Sequence, residues 1–299
     1  MFDSMGSILE ALSPEQQIAC STQNNILLTA CPGSGKTRTL THRLAYQVLR
    51  DPASKKIKIA ITYTNRAAEE ITNRLEGMNI DQSSIWAGTI HQFCMHFIIR
   101  PYAMYSKRLC KGYRIIDDYS KKAYGREIAE RLGMHLNYYD DPFQYENVRT
   151  EYKRVLKEKK EIDFDAILLI SEELLASCAF IGSNIASVIS SILVDEFQDT
   201  NELQYSILST IYKANKSIIL MFVGDVNQAI YSSLGGVAKG KKELETSVYK
   251  GYKQDKIEMR GDRAEMSDFP LYLNTVAGGL DRRDQTIGGF SFVVKIYAV

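Results

Sequence analysis

The stretch Ala30-Cys31-Pro32-Gly33-Ser34-Gly35-Lys36-Thr37 decides how the rest of the sequence is interpreted. It follows a short apolar run, Asn25 to Thr29, and precedes a segment predicted to be helical from about Lys36 to Leu49. Glycines between a strand and a helix let successive backbone N–H groups converge on one centre, where the helix N-terminus adds positive potential. The stretch therefore predicts a phosphate-binding loop.

Nucleotide chemistry assigns roles within this loop. Lys36 would reach the β- and γ-phosphates of ATP, and the Thr37 hydroxyl would bind Mg²⁺. The backbone groups that would surround the phosphates belong to Gly33, Ser34 and Gly35. The usual pattern begins with a glycine where this sequence has Ala30, so the match departs by one position. The alternative is a glycine-rich turn beside a surface lysine.

Two further polar motifs follow apolar runs, as expected at the carboxyl edge of a parallel sheet. Ile192 to Val194 precedes Asp195, which can hold Mg²⁺, and Glu196, which can accept a proton from the water that attacks the γ-phosphate. Ser217 to Val223 precedes Gln228, which can contact the γ-phosphate. Taken alone, an acid pair or a glutamine after a strand is common in solvated turns. Together with the phosphate loop, the motifs indicate ATP hydrolysis.

Apolar runs alternate with helical segments, which predicts a parallel sheet with helices on both faces. Lys58 to Tyr63 and Ile85 to Gly88 are further strand candidates, and 91–100 is predicted to be an aromatic helix. Tyrosine and lysine become frequent between about 101 and 160, where helices are predicted at Lys121 to Leu132 and Asn147 to Lys160. This change indicates an inserted helical subdomain. The run 290–299 resembles a strand.

Composition narrows the function classes. The 299 residues are 45% hydrophobic, enough for the core of one large or two ordinary domains. A net charge of +1 gives no global basic excess for nucleic acid, although a groove can be locally basic. The five cysteines form no CxxC pair, so neither zinc nor an iron–sulfur cluster is indicated, and a reducing compartment is favoured. Without a signal peptide or a membrane-spanning run, a cytoplasmic location is expected.

In this order the motifs resemble the first motor domain of superfamily 1A DNA helicases, the group related to UvrD, Rep and PcrA. The matching segments are Leu12–Gln16, Gly33–Arg38, Thr62–Glu70, Gly88–Phe93, Asp163–Leu168, Asp195–Asp199 and Gly224–Tyr231. The resemblance implies a RecA-like P-loop NTPase fold. It divides the chain into motor domain 1A at 1–105 and 161–236, an inserted helical subdomain 1B at 106–160, and an incomplete or divergent start of a second motor domain at 237–299.

The resemblance also implies further site residues. Gln16 would contact the adenine, and Arg38 would lie beside the nucleotide. Aromatic and polar side chains would hold single-stranded DNA by stacking on bases and contacting phosphates, without reading sequence. These are Tyr63, Thr64, Asn65, His91 and Tyr231. Without the resemblance, Tyr63 would be assigned to the core, His91 to a helix cap and Tyr231 to aromatic packing.

The sequence departs from the family at two places. Ser233 stands where the family usually has a base-stacking aromatic residue. No match to the family's motifs V and VI follows Gly236, and Arg263 is a faint candidate for motif IV. We therefore expect a motor domain that binds ATP and Mg²⁺ and contacts single-stranded DNA, but needs a second motor domain, which another chain could supply, to unwind DNA. The alternative is an ATP-binding regulatory subunit of a DNA-processing or defence complex. A P-loop kinase is disfavoured by the acid pair, the glutamine motif and Gln16.

Overall fold

A computed structural model describes residues 5–30, 34–137, 139–224 and 292–296. Its strands are β1 Ile26–Ala30, β2 Ile57–Thr62, β3 Ile85–Thr89, β4 Arg114–Ile115, β5 Glu161–Ile162, β6 Ile189–Val194, β7 Ile219–Gly224 and β8 Phe292–Ile296. Its helices are α1 Met5–Glu10, α2 Pro14–Ser21, α3 Lys36–Arg50, α4 Asn65–Gly77, α5 Ile90–Phe93, α6 Arg100–Tyr102, α7 Asp118–Arg131, α8 Glu146–Lys159, α9 Phe164–Ser177, α10 Ala179–Val188 and α11 Glu202–Ala214. A π-helix, Cys94–Ile99, joins α5 to α6, and short 3₁₀ turns lie at Ala103–Tyr105, Pro142–Gln144 and Phe197–Asp199.

Six of the described strands form one parallel sheet in the order β3-β2-β6-β7-β1-β8. Strand β7 separates β1 from β6, so its carboxyl end at Gly224 lies between the end of β1 and the end of β6. Because all these strands run in one direction, their carboxyl ends meet at one edge. That edge is where the polar motifs after β1, β2, β3 and β6 come together.

Helices cover both faces of this sheet, as the alternating pattern predicted. On one face, Ala60, Leu193 and Met221 belong to a buried cluster that includes residues of α1 to α4. On the other face, Ile59 and Ile192 belong to a second cluster that includes residues of α5 and α7 to α11. Burial on both sides explains why the strands are nearly continuous apolar runs.

The strand predictions agree with the sheet. Each of the five candidates within residues 25–223 overlaps one of its strands, and the run at the end of the chain contains β8, which pairs with β1 along its whole length. The predicted aromatic helix is α5, the π-helix and α6 taken together. Helices α9, α10 and α11 were not predicted. The apolar residues of α9 and α10 recur too densely to mark one face, whereas the buried residues of α11, Leu203, Ile207, Leu208 and Ile211, do follow helical spacing.

The predicted insert is closed by a short pair of strands. Strand β4 pairs in parallel with β5, so the chain entering the insert lies beside the chain leaving it. Ile128 of α7 and Tyr152 of α8 are buried in the same cluster as Phe93 and Ile167 beside the sheet. The insert therefore extends the core of the sheet. Its limits at 106 and 160, and the assignment of 237–299 to a second motor domain, remain predictions.

Candidate nucleotide site and adjoining groove

The phosphate loop ends in a backbone geometry that needs glycine. Gly35 is the N-cap of α3 and lies in the left-handed region, with φ of 83°. A β-carbon there would stand only 3.0 Å from Gln16 Nε2. Positive φ strains residues that carry a β-carbon, so both the conformation and the space select glycine.

Ser34 offers an unused donor at the same helix N-terminus. Its Oγ is buried and has no hydrogen-bond partner among the described residues. Buried hydroxyls are normally hydrogen-bonded, and a helix N-terminus attracts anions. The loop thus fits a phosphate group. Gly33, the other predicted loop glycine, lies outside the described residues.

Gln16, predicted to contact the base, and Arg38, predicted to flank the nucleotide, form hydrogen bonds that connect the N-terminal segment to the start of α3. Gln16 Nε2 donates to the Ser34 carbonyl at 3.0 Å, and Gln16 Oε1 accepts from the Ser13 N–H at 3.0 Å. Together with the Ser13 hydroxyl this forms a capping box at the start of α2. Arg38 donates to the Ala11 carbonyl at 2.9 Å. The contacts of Gln16 and Arg38 with a nucleotide remain predictions.

Lys36 and Glu196 meet across the sheet edge. Lys36 Nζ donates to Glu196 Oε2 at 2.9 Å. Glu196 holds a left-handed backbone conformation, with φ of 50° and ψ of 49°. This conformation costs a non-glycine residue roughly 1–2 kcal/mol, and such strain concentrates at functional sites. In this arrangement Glu196 neutralises the ammonium that the sequence assigns to the phosphates.

Thr37 and Asp195 form the second contact between the same two motifs. Thr37 Oγ1 donates to Asp195 Oδ2 at 3.2 Å. Asp195 is 6% exposed, and burial, aided by the neighbouring Glu196 carboxylate, raises the pKa of Asp195 to about 6. Octahedral Mg²⁺ binds oxygens at about 2.1 Å, so neighbouring ligands stand about 3 Å apart. The hydroxyl and the carboxylate fit that spacing.

The described residues contain no group of three or more His, Cys, Asp or Glu side chains placed to hold a metal ion. Mg²⁺ commonly takes only one or two protein ligands and completes its shell with water and substrate phosphates. Thr37 and Asp195 therefore suit Mg²⁺ carried in with a nucleotide.

Asp195→Asn is expected to stabilise the nucleotide-free protein. The pKa of Asp195 lies above its ordinary value of 3.8, so ionisation makes the folded state less stable as the pH rises from about 4 to about 6. At about 1.4 kcal/mol per pKa unit, the penalty at neutral pH is on the order of 3 kcal/mol. Thermal unfolding should give a higher Tm for the variant at neutral pH and a shrinking difference towards pH 4.

Asp81→Asn is the control, because the pKa of Asp81 is shifted in the opposite direction from that of Asp195. Hydrogen bonds from Ser83 lower the pKa of Asp81, so its ionised form stabilises the fold at neutral pH. This variant should not raise the Tm. An equal rise in both variants would show that burial of Asp195 is not the cause.

A groove of about 770 Å³ lies beside the acid pair, at the ends of β2 and β3. Four of the predicted DNA contacts line it: Tyr63, Thr64, Asn65 and His91. Tyr63 is 69% exposed, so the alternative that it belongs to the core is wrong.

His91 is not the cap of its helix either, since Thr89 caps α5 through a capping box with Gln92. Gln228 and Tyr231 lie outside the described residues.

The groove also contains residues that the sequence did not single out, above all Trp86, Arg100 and Phe164. Trp86 packs edge-on against Phe93, with ring centroids 5.9 Å apart. The sequence feature that could have identified Trp86 as a groove residue was its place on a strand beside the predicted DNA motif. The signal for Phe164 was its place in a family segment for which no contact had been assigned.

A smaller cavity of about 300 Å³ joins the groove to the acid pair. Asp195, Glu196 and Asp199 line it, and so do three residues of the groove, Tyr63, Thr89 and His91. The acid pair and the groove therefore share one wall. Burial lowers the pKa of His91, and the carboxylates of Asp165 and Asp118 oppose that change.

The family profile described as an AAA domain matches residues 15–234. The chain belongs to this family. The match covers both site motifs and the groove, and the AAA family is one of nucleotide-binding P-loop proteins. It confirms the α/β P-loop fold class predicted from the sequence.

Several curated helicases are similar to this AAA domain. The ATP-dependent DNA helicase PcrA of Leuconostoc citreum is 28% identical over 245 residues, which is 72% of this chain and 32% of the helicase. DNA helicase II of Escherichia coli K12 is 28% identical over 257 residues, which is 76% of this chain and 35% of the helicase. The AAA domain is thus a distant relative of these proteins, and the chain spans about a third of their length. No helix in the described ranges has the length and hydropathy needed to cross a membrane.

Proposed function

We propose that this chain contains the ATP-binding motor domain of a DNA helicase of the PcrA and helicase II type. It hydrolyses ATP with Mg²⁺ and holds single-stranded DNA in the groove. The observation that carries the proposal is the double contact between two motifs far apart in sequence, Lys36 with Glu196 and Thr37 with Asp195, beside a groove lined by Tyr63 and His91. Residues 106–160 form the inserted subdomain of this motor.

ATP binding exchanges the partner of Lys36. The γ-phosphate takes the place of Glu196 at the ammonium, because a phosphate carries more charge and more acceptor oxygens than a carboxylate. Ser34 Oγ, which has no partner among the described residues, donates to the same phosphates. Mg²⁺, held by Thr37 and Asp195, would neutralise phosphate charge.

Glu196, once released from Lys36, is the proton acceptor for hydrolysis. The oxygen of a water molecule forms a bond to the γ-phosphorus while the bond to the β,γ-bridging oxygen breaks, and the water proton passes to the Glu196 carboxylate. An arginine from a second motor domain would stabilise the charge on the transferred group, an effect worth about 10³–10⁵ in rate. We propose that Gln228 contacts the γ-phosphate beside this acid.

The groove suits single-stranded DNA through stacking more than through charge. Among the described lining residues Arg100 is the sole lysine or arginine, whereas Tyr63, Trp86 and Phe164 offer aromatic faces. Stacking on aromatic side chains tolerates any base. With few phosphate contacts, binding by this domain should depend only weakly on salt. Thr64, Asn65 and Tyr231 are proposed as the remaining contacts.

The rate of ATP hydrolysis with and without single-stranded DNA tests the proposal. A PcrA-type second motor domain, supplied separately, is expected to raise the rate further. If the chain binds ATP but neither DNA nor the second domain raises its rate of ATP hydrolysis, the regulatory-subunit alternative is favoured. Failure to bind ATP would contradict both readings.

Tyr63→Ala is expected to weaken single-stranded DNA binding about tenfold, since stacking contributes about 1–3 kcal/mol per base. Fluorescence anisotropy with a labelled oligothymidine measures the Kd. Tyr119→Ala is the matched control, because Tyr119 is 82% exposed and stands apart from the described lining of the groove. Equal losses in the two variants would mean that the groove does not hold the strand.

A further inference from the structure

Phe164 forms part of the groove wall at the start of α9. It is 41% exposed, and its ring meets the ring of His91 edge-on, with centroids 5.9 Å apart and an interplanar angle of 88°. The position of an exposed aromatic ring in the first turn of a helix depends on the backbone from which it projects, so contacts that fix this backbone also limit where the ring can lie. The residues on either side of Phe164 provide that restraint.

Asp163 is the N-cap of α9. Its carboxylate is buried, accepting from the Ala166 N–H at 3.0 Å and from the Tyr152 hydroxyl at 3.1 Å. Asp165, on the other side of Phe164, has a side chain that is 56% exposed. Two acids thus flank the ring in sequence, one buried and one at the surface.

Lys121 of the inserted helix α7 contacts both acids. Its Nζ lies 3.5 Å from Asp163 Oδ2 and 2.5 Å from Asp165 Oδ2. It also lies 5.7 Å from the centroid of the Phe143 ring. Although burial opposes it, the two carboxylates raise the pKa of Lys121, so the ammonium stays charged. With its side chain 19% exposed and two carboxylates in contact, Lys121 is poorly placed to bind a DNA phosphate itself.

We propose that Lys121 is a positioning residue for the single-strand groove. By holding Asp163 and Asp165 together, it fixes Phe164 against His91, and the inserted helices thereby set the shape of the groove wall. The consequence for DNA rests on the proposed function. The consequence for the two rings does not.

A double-mutant cycle tests this inference. Lys121→Met is expected to raise the Kd for labelled oligothymidine about three- to tenfold, a part of what loss of a stacking ring costs. In a Phe164→Ala background the same change should add nothing, because the residue on which Lys121 acts is gone. Losses that add in full would overturn the proposal.

Two further lysine variants serve as controls. Lys122→Met removes the same charge from an exposed neighbour on α7 and should leave the Kd unchanged. Lys121→Arg keeps both ion pairs and should bind DNA as the unsubstituted protein does. If Lys122→Met costs as much as Lys121→Met, general loss of positive charge explains the effect and the positioning role is wrong.

An NMR titration of the His91 ring separates this inference from the proposed function. Lys121→Met leaves the Asp165 carboxylate unpaired near His91 and loosens the ring contact, so the pKa of His91 should rise, whereas Lys122→Met should leave it in place. No shift would overturn the positioning role whether or not DNA binds. A shift in a protein that binds no DNA would contradict the proposed function alone. Asp165→Asn, which spares the buried Asp163, replaces Lys121→Met in the double-mutant cycle if the latter does not fold. In the NMR titration its sign is opposite, because it removes a carboxylate that raises the pKa of His91, so this pKa should fall.

Discussion

Glu196→Gln should slow ATP hydrolysis by about 10²–10⁴-fold, because the amide cannot accept the proton of the attacking water. The same change should tighten ATP binding. In the structure Glu196 Oε2 accepts a hydrogen bond from Lys36 Nζ at 2.9 Å. A neutral glutamine would compete with the γ-phosphate for this ammonium less well than a carboxylate does. A partly exposed ion pair is worth up to about 1 kcal/mol, so the gain in affinity should reach about fivefold.

Single-turnover hydrolysis, with DNA and a second motor domain present, measures the rate of this variant. Displacement of a fluorescent nucleotide measures its affinity. Asp199→Asn removes a negative charge from the same turn but leaves the ion pair between Lys36 and Glu196 intact, so it should not tighten ATP binding. Turnover at the unsubstituted rate in Glu196→Gln would rule out Glu196 as the base.

Lys36→Ala should abolish measurable ATP binding. The ammonium forms an ion pair with the acid pair at Glu196, and charge-assisted hydrogen bonds contribute about 1.5–3 kcal/mol each. The loss should grow with the number of phosphates, being large for ATP and small for AMP. That ranking distinguishes loss of a phosphate contact from general damage to the site.

The control for Lys36→Ala is Lys55→Ala, which removes an exposed lysine from the loop after α3. Its affinity for ATP should equal that of the unsubstituted protein. Normal ATP binding by Lys36→Ala would mean that the assignment of the phosphate loop is wrong. Folding of both variants is checked by thermal unfolding before nucleotide is added.

Local signals were enough to predict the sheet and the edge of it at which Lys36, Thr37, Asp195 and Glu196 come together. Glycine at position 35, a lysine and threonine after it, and two acids after a buried strand have chemical roles that depend on short stretches of chain. Their meeting depends only on parallel strands ending at one edge. For this reason the contacts of Lys36 with Glu196 and of Thr37 with Asp195 agree with the sequence analysis.

The contributions of Trp86, Phe164 and Lys121 could not be predicted in the same way. Phe164 and Lys121 contact residues distant in sequence, and an isolated lysine on a polar helix resembles any solvated side chain. Trp86 gave no signal beyond its place on a strand. The π-helix at Cys94–Ile99 was equally hidden, because its apolar residues also fit an ordinary helix. Tertiary packing selected these features, and single-sequence patterns contain little information about it.

The hydrogen bond from Gln16 to the Ser34 carbonyl connects helix α2 directly to the phosphate loop. An adenine that formed hydrogen bonds with the Gln16 side-chain amide would compete with the Ser34 carbonyl for the group that restrains the loop. Base recognition and loop order would then be thermodynamically linked, so that a nucleotide lacking the right base would leave the loop restrained as in the empty protein. Selectivity for adenine would in this way be expressed at the phosphates, where the chemistry occurs.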